Sequence, residues 1–562
     1  MQPEFWNDKR PTGVPTALDS QAYQSVVEVF DRSCKTFADR PAFSNMGVTL
    51  SYADLDRHAA AFAGWLQQHT QLKPGDRIAV QLPNVLQFPI VVFGALRAGL
   101  VVVNTNPLYT AREMRHQFND SGARALVYLN MFGQRVEEVV ADTQLEYLVE
   151  ARMGDLMSPA KGWLVNTVVS KVKKLVPAFN LPQAVPFKQV LQRGGSVAYQ
   201  PVQLSPGDLA VLQYTGGTTG QAKGAMLSHG NLVANMQQVQ ACFSQLGDDG
   251  KPIVRVGQEI TIAPLPLYHI YAFTANCMCM MVTGNLNVLI TNPRDIGGFI
   301  KELGKWRFTA LLGLNTLFVA LMDHPEFKKL DFSALKVTNS GGTALVKATA
   351  ERWAQVTGCG ITEGYGLSET SPVACVNPYG ARARLGSVGL PVVGTALKVI
   401  DEQGNELPQG ERGELCVKGP QVMLGYWQQP EATAEALDSE GWLKTGDIAV
   451  IDDDGFVHIV DRKKDLIIVS GFNVYPNEIE EVLMAHPKVA NCAAIGVADE
   501  RTGEAVKLFI VPRDASLTEA EVKAYCKANF TGYKVPRQIV LRDALPMTPV
   551  GKILRRALRD EA

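Results

Sequence analysis

Short apolar segments of strand length alternate with segments of helix length through the first part of the chain. In chain order these segments are 51–68, 76–81, 88–100, 101–103 and 123–127. The helix candidate at 51–68 has Ser51 at its N-cap position and Asp54 three residues later, which is a helix-start signature. Strands that alternate with helices of this length form parallel βαβ units. The pattern therefore predicts an α/β fold built on parallel sheets.

Several strand candidates after residue 208 end in small or polar residues. They run into Thr215, Asn315, Ser340 and Glu363. In open parallel sheets, ligands bind outside the carboxyl ends of the strands. These strand ends therefore indicate one shared crevice.

The segment Tyr214–Gly224 (YTGGTTGQAKG) is the strongest candidate for a phosphate-binding loop. Its small residues leave backbone N–H groups and hydroxyls exposed, and Lys223 adds a positive charge. We expect phosphate contacts from Thr215, Gly216, Gly217, Thr218, Thr219, Gly220 and Lys223. A strand before the loop and a helical pattern from Ser228 predict the strand–turn–helix context of such loops. A Gly/Thr-rich surface loop is the alternative.

The charge balance and the cysteines exclude several function classes. With 54 basic and 56 acidic residues, the net charge is −2, so we expect no nucleic-acid partner. The nine cysteines lack metal-ligand spacing and are interpreted as reduced core thiols of a cytoplasmic protein. The N-terminus has no apolar segment that would predict a secretory signal.

Two apolar segments need separate interpretation. Residues 261–293 contain no Asp, Glu, Lys or Arg, but Pro, Asn and Gly divide them, so we predict a buried helix between strands and not a membrane span. In residues 161–176, lysines alternate with apolar residues. This segment is either a helix on an anionic membrane or a helix packed on its own domain, and we favour packing.

The sequence pattern changes near Asp461. Residues 414–418 and 455–460 read as antiparallel strands, and the remainder combines alternating strands with helices at 476–485 and 519–529. The final stretch has the size of a small α+β domain. We therefore predict two domains, 1–460 and 461–562.

Six motifs in order resemble the adenylate-forming enzymes, which include acyl-CoA synthetases, peptide-synthetase adenylation domains and luciferases. The motifs are YTGGTTGQAKG, LPLYH (265–269), YGLSET (365–370), KTGD (444–447), DRKKD (461–465) and PVGKILRR (549–556). The resemblance covers essentially the whole chain and is strongest to bacterial long-chain fatty-acid–CoA ligases. It implies a large N-terminal domain of parallel sheets with an antiparallel sub-barrel, and a small mobile C-terminal domain.

The resemblance implies a two-step reaction with ATP, Mg²⁺ and CoA. A fatty carboxylate attacks the α-phosphate of ATP, and CoA then displaces AMP, which feeds fatty-acid degradation. Lys552 matches the position that contacts both the carboxylate and the α-phosphate, where a positive charge stabilises the transition state. His269 matches a position beside the carboxylate, and we favour a positioning role for it over general base catalysis. A buried histidine without a role is the alternative.

The resemblance also assigns the nucleotide site. Gly341, Gly342, Thr343 and Tyr365 match adenine contacts. Asp447 and Arg462 match ribose contacts, and a carboxylate suits two hydroxyls. Glu369 matches a magnesium ligand, because Mg²⁺ takes one or two carboxylates together with phosphate oxygens.

The remaining assignments concern the second step and the acyl chain. Lys464 matches a hinge about which the small domain turns, bringing Gly471 and Phe472 to the path of CoA. Tyr268, Phe273 and Met278 lie in the uncharged run and are candidates for a fatty-acid tunnel, with plain core as the alternative.

The predicted partners are a fatty acid, ATP and CoA. Peripheral contact with the inner face of the cell membrane through 161–176 and a homodimer stay open. Two other functions also stay open: an adenylating enzyme that passes acyl groups to a carrier protein, and a nucleotide or acyl sensor without catalysis.

Overall fold

The computed structural model describes residues 1–215, 222–499, 501–548 and 551–561. Their strands form four sheets of seven, nine, four and five strands, with helices packed on them, so the predicted α/β class is confirmed. The α-helices are Val26–Thr36, Tyr52–His69, Gln87–Arg97, Ala111–Ser121, Gly133–Val140, Pro159–Thr167, Phe187–Gly194, His229–Phe243, Ile270–Ala272, Ile296–Leu303, Asn315–Asp323, Lys347–Thr357, Pro430–Ala436, Pro476–Met484, Glu519–Asn529 and Arg555–Asp560. Ser51 caps the second helix in a capping box with Asp54, as predicted.

The seven-stranded sheet contains six parallel strands and one antiparallel edge strand. In spatial order they are Val185–Pro186, Tyr147–Ala151, Ala123–Leu129, Arg77–Gln81, Val101–Asn104, Leu209–Thr215 and Lys223–Ser228. The predicted strand before the loop and the helical pattern from Ser228 are confirmed, with Ser228 as the N-cap of helix His229–Phe243. The strand Lys223–Ser228, which was not predicted, lies between the loop and this helix and pairs with Leu209–Thr215 as a hairpin. This edge strand also exchanges backbone hydrogen bonds with residues 424–427, which stabilises its extended conformation.

The nine-stranded sheet brings three of the predicted strand ends together. In spatial order its strands are Leu390–Pro391, Val373–Val376, Ile361–Gly366, Val337–Gly341, Ala310–Gly313, Ile260–Ala263, Leu286–Leu289, Pro41–Asn45 and Val48–Ser51. Ser340 is paired with Gly313 on one side and with Glu363 on the other, in parallel register. The carboxyl ends of three adjacent strands therefore form one edge, as expected.

The uncharged run folds as a buried helical segment between two strands of this sheet. The short helix Ile270–Ala272 continues into a π-helix at Phe273–Met280, all of whose residues are buried. The prediction of a buried helix flanked by strands is confirmed.

The last two sheets follow in chain order. The antiparallel four-stranded sheet is Ala396–Ile400, Gly413–Lys418, Leu443–Ile451 and Val457–Arg462. The five-stranded sheet contains Phe472–Val474, Ile467–Val469, Gly503–Pro512, Val489–Asp499 and Gln538–Leu541. The predicted boundary at 460/461 lies within strand Val457–Arg462, and it stays a prediction.

The basic amphipathic segment leaves several of its apolar side chains exposed, although Val165, Val168 and Val169 are half-buried. Helix Pro159–Thr167 continues into a π-helix at Val168–Val172, and Gly162 is its only buried residue. Trp163 and Val172 are each 71% exposed, so the favoured packing on the chain's own domain is wrong for them. None of the helices in the described part of the chain is long and apolar enough to cross a membrane.

Candidate active site

Lys552 lies in a tight turn near the end of the chain. Its backbone N–H donates to Thr548 Oγ1 at 3.0 Å, and the Thr548 N–H donates to the Lys552 carbonyl at 2.6 Å. Gly551 in this turn has φ +80°, and a β-carbon on it would lie 3.1 Å from Leu314 Cδ1. The turn therefore rests on the residue that follows strand Ala310–Gly313 and brings Lys552 to the carboxyl edge of the nine-stranded sheet.

The Lys552 ammonium shares a pocket with several predicted site residues. A β-carbon on Gly342 would lie 3.6 Å from Lys552 Cε. Burial and, to a smaller extent, the positive charge of Arg462 lower the pKa of Lys552, the carboxylates of Asp447 and Glu369 oppose this, and the resulting pKa is about 8. Residues from the far end of the chain therefore complete a site built on the central sheet.

Asp447 connects Tyr365 with Arg462. The Tyr365 hydroxyl donates to Asp447 Oδ2 at 2.6 Å, and Arg462 Nε lies 3.3 Å from Oδ1. Asp447 and Arg462 also face each other across two antiparallel strands. Burial and the charge of Asp447 raise the pKa of Tyr365, so its hydroxyl stays a donor.

Two glycines keep one wall of the pocket free of side chains. A β-carbon on Gly341 would lie 3.1 Å from Tyr271 Cε1, so a larger residue would push that ring away. Gly342 has φ +86°, a conformation that disfavours other residues. Thr343 follows them and is half-buried.

Glu369 has one carboxylate oxygen that accepts no hydrogen bond from the described residues. It lies in a 3₁₀ turn at Ser368–Thr370, and its Oε1 accepts a hydrogen bond from the Tyr426 hydroxyl at 2.8 Å. No group of three or more His, Cys, Asp or Glu side chains in the described part of the chain is arranged to hold a metal. The donor set thus fits Mg²⁺ held by one carboxylate, phosphate oxygens and water.

His269 lies beside Lys552 as a neutral imidazole. Burial and, to a smaller extent, the charge of Lys552 together lower its pKa to about 3. Its Nδ1 accepts a hydrogen bond from the Tyr271 N–H at 3.3 Å. A general base for a thiol requires a pKa nearer the working pH, so this environment favours the positioning role.

The three tunnel candidates differ in exposure. Tyr268 is half-buried, whereas Phe273 and Met278 are fully buried in the largest hydrophobic core. Burial raises the pKa of Tyr268 beyond its ordinary range. The tunnel stays a prediction.

The predicted phosphate loop is described only at its two ends. Thr215 is paired with Lys223 across the hairpin. Gly216, Gly217, Thr218, Thr219 and Gly220 lie outside the described residues. The Lys223 ammonium lies 5.2 Å from the centroid of the Tyr426 ring.

Two family models match the chain. The AMP-binding enzyme model matches residues 30–427, and the model of the AMP-binding enzyme C-terminal domain matches residues 478–552. The chain belongs to the AMP-binding enzyme family. The motifs YTGGTTGQAKG, LPLYH and YGLSET lie within the first match, so the resemblance to adenylate-forming enzymes is confirmed.

Individual relatives of this AMP-binding enzyme agree. It is 52% identical over 559 residues to a long-chain-fatty-acid–CoA ligase from Escherichia coli O6:H1, covering all of this chain and 98% of that protein. ATP-bound MatB from Rhodopseudomonas palustris superimposes with a TM-score of 0.79 at 28% identity, covering 95% and 98% of the two chains. An anthranilate CoA ligase, AuaEII, shares the fold with a TM-score of 0.83 at 24% identity, covering 96% and 97%.

Partial burial lowers the pKa of the hinge candidate Lys464, and the charges of Arg462 and Asp447 also act on it, so it lies beside the pocket of the AMP-binding enzyme, whereas the CoA candidates lie on an exposed hairpin. Lys464 is exposed in a 3₁₀ turn at Lys463–Asp465. Gly471, with φ +81°, lies at the turn of an exposed hairpin. Phe472 is 56% exposed, and its ring stacks on Tyr533 with centroids 4.8 Å apart.

Tyr426 is a site residue that the sequence analysis missed. It belongs to the phrase VKGPQVMLGYW, which resembles the family but carries no separate chemical signal. Its contact with Glu369 spans 57 positions in the chain. The Met423 N–H donates to the Glu369 carbonyl at 2.9 Å, and this backbone contact brings the segment that carries Tyr426 to Glu369.

Proposed function

We propose that this AMP-binding enzyme activates long-chain fatty acids with ATP. It forms an acyl-adenylate and pyrophosphate, and then transfers the acyl group to CoA with release of AMP. The position of Lys552 beside Gly342, with Asp447 and Glu369 close enough to affect its pKa, is the main structural support. The long-chain-fatty-acid–CoA ligases that match the whole chain support the choice of substrate.

In this proposal the nucleotide lies along the carboxyl edge of the nine-stranded sheet. Tyr365 and the segment 341–343 contact adenine, and Asp447 with Arg462 binds the ribose. Lys223 and the loop from Thr215 bind the β- and γ-phosphates. Glu369 holds Mg²⁺, which supplies charge neutralisation at the phosphates when it is bound.

Lys552 and His269 act at the reacting carboxylate. The charged lysine bridges the fatty carboxylate and the α-phosphate, where negative charges approach each other. His269 supports this geometry as a neutral group. The acyl chain enters among Tyr268, Phe273 and Met278, where the π-helix at Phe273–Met280 departs from regular helix geometry, a frequent feature of functional sites.

The second step uses a turn of the small domain about Lys464. The turn withdraws Lys552 and brings Gly471 and Phe472 to the pantetheine arm. The exposure of both residues in the present arrangement is consistent with a partner that arrives only after this rotation.

Pyrophosphate release from ATP and Mg²⁺ with octanoate, palmitate or benzoate, each with and without CoA, tests the proposal. We expect release with palmitate and a thioester only when CoA is present. Release with benzoate alone would contradict the fatty-acid assignment. Transfer to a carrier protein but not to CoA would favour the carrier-linked alternative, and no release with any acid would favour the sensor.

We further propose that the exposed segment 159–175 contacts an anionic membrane. Residues 158–176 contain four lysines and no acidic residue, next to exposed Trp163, Leu164, Val172 and Leu175. Apolar side chains beside lysines suit insertion at a lipid headgroup layer. The Lys161 ammonium donates to the Met46 carbonyl at 3.2 Å, so a hairpin turn with a 40% exposed methionine extends this surface.

Vesicle sedimentation tests the membrane contact. We expect binding to vesicles with phosphatidylglycerol but not to neutral vesicles, and loss of binding when Trp163→Ser and Val172→Ser are combined. Val256→Ser is the matched control, because Val256 is 62% exposed elsewhere. Equal binding of all proteins would contradict the proposal. The oligomeric state, for which a homodimer stays open, is measured separately by light scattering after size exclusion.

A further inference from the structure

Two charged groups of the proposed ATP site meet on one tyrosine. The Tyr426 hydroxyl donates to Glu369 Oε1 at 2.8 Å. The Lys223 ammonium lies over the face of the same ring, 5.2 Å from its centroid. Tyr426 thus contacts both the proposed magnesium ligand and the proposed phosphate-binding lysine.

The backbone around Tyr426 is fixed from both sides. Its N–H donates to Thr433 Oγ1 at 2.9 Å, and the next residue, Trp427, donates to the Gly224 carbonyl at 2.8 Å. Tyr426 also forms a β-bridge with Ala225. The ring is therefore attached to the strand that begins with Lys223, and the lysine and ring stay in register.

The contacts with Tyr426 do not block either charged group from a ligand. A carboxylate has two oxygens, and the hydroxyl occupies Oε1 of Glu369, so Oε2 stays available to a cation. The ring face attracts the Lys223 ammonium without neutralising it, because the attraction comes from the ring quadrupole and not from a counter-charge. A carboxylate in place of this tyrosine would compete with phosphate for the lysine and with Glu369 for the metal.

We propose that Tyr426 is a positioning residue that orients Glu369 toward Mg²⁺ and Lys223 toward the phosphates of ATP. The inference rests on the proposed function and assigns the two tasks to different parts of one side chain. The hydroxyl serves the metal ligand, and the ring serves the lysine. Removing the hydroxyl and removing the ring must therefore have different effects.

Two substitutions separate the tasks. Tyr426→Phe removes the hydroxyl and keeps the ring, whereas Tyr426→Leu removes both. Tyr147→Phe is the matched control, because the Tyr147 hydroxyl accepts only a backbone N–H from Gln71 in a different region. Glu369→Gln provides the reference for loss of the metal ligand.

The measurements are of binding and need no turnover. Mn²⁺ binding to the ATP complex is followed by electron paramagnetic resonance, and ATP binding in EDTA by calorimetry. We expect Tyr426→Phe to weaken Mn²⁺ binding about tenfold, as is typical when a partner of a metal ligand is lost, and to leave metal-free ATP binding unchanged. Tyr426→Leu should additionally weaken metal-free ATP binding about threefold.

The outcomes distinguish this inference from the proposed function. The assay is valid if wild type and Tyr147→Phe bind Mn²⁺ in the presence of ATP and Glu369→Gln does not. If Tyr426→Phe then binds Mn²⁺ as tightly as wild type, the positioning role is refuted. Equal loss of metal-free ATP binding in the Phe and Leu variants would also refute it, because the ring then has no separate task. If Glu369→Gln binds Mn²⁺ as wild type does, the proposed metal site itself fails.

Discussion

Replacing Lys552 by methionine should stabilise the protein while abolishing adenylation. The turn that carries Lys552 packs against Leu314, and the ammonium is brought into a pocket where burial lowers its pKa from 10.5 to about 8. Methionine has a similar length and no charge. The variant therefore removes a charge whose burial is unfavourable and keeps the packing.

The size of the stabilisation by Lys552→Met, and the pH range in which it occurs, follow from the pKa of Lys552. In the unfolded chain Lys552 titrates near 10.5, so below pH 8 it is charged in both states and the native state bears the full cost of burial. That cost is about 3 kcal/mol. It decreases as the pH rises from 8 to 10.5 and disappears when both states are neutral. The stability advantage of Lys552→Met should follow the same course.

Chemical denaturation at pH 7 and at pH 10.5 measures this advantage. Lys523→Met is the control, because Lys523 is exposed on helix Glu519–Asn529. In parallel, acid-dependent pyrophosphate release should fall by about 10²–10³ in Lys552→Met, while thioester formation from supplied acyl-adenylate is unchanged. A variant that is less stable than wild type at pH 7, or equally active in adenylation, would refute the reasoning.

Three further predictions concern neighbouring residues. Asp447→Asn loses the ion pair with Arg462 and a charged acceptor for ribose, and should raise the KM for ATP about tenfold in a steady-state assay. An unchanged KM would show that Asp447 does not bind the nucleotide. His269→Phe should reduce the loss of stability on acidification. The pKa of His269 is lowered to about 3 in the native state, so as the pH falls through 6.5 a proton binds to this residue in the unfolded chain but not in the native state. Acid titration monitored by circular dichroism measures this, and identical curves for the variant and wild type would contradict it. Gly342→Ala should lower the free energy of unfolding by about 1 kcal/mol because φ is +86° there, whereas an unchanged thermal midpoint would show that no strain arises.

The sequence predicted those features that depend on local signals. The Ser51 capping box and the apolar strands of the parallel sheets need only neighbouring residues, and both are found in the structure. The carboxyl-edge position of Ser340 and Glu363 also follows, because parallel strands share an edge. The roles of Lys552 and Asp447, by contrast, came from the family resemblance, and the structure adds that they share a pocket.

The features that sequence analysis missed depend on distant partners. Strand Lys223–Ser228 looks like part of a loop before a helix, because the residues 424–427 that pair with its second edge lie 200 positions away. The exposure of Trp163 and Val172 was missed because an amphipathic pattern shows that a helix has an apolar face, but not what covers that face.

Lys552 illustrates why the two reactions need a movable domain. The burial that lowers its pKa also strengthens its charge interactions, because water no longer screens them. The same ammonium held beside an acyl-adenylate would continue to stabilise that intermediate and slow its conversion to thioester. A lysine on a turn that packs on Leu314 can be withdrawn by the proposed rotation of the small domain, whereas a lysine on a central strand could not leave without breaking the sheet. The placement of Lys552 on a turn outside the central strands, just before helix Arg555–Asp560, is therefore what the proposed two-step mechanism requires.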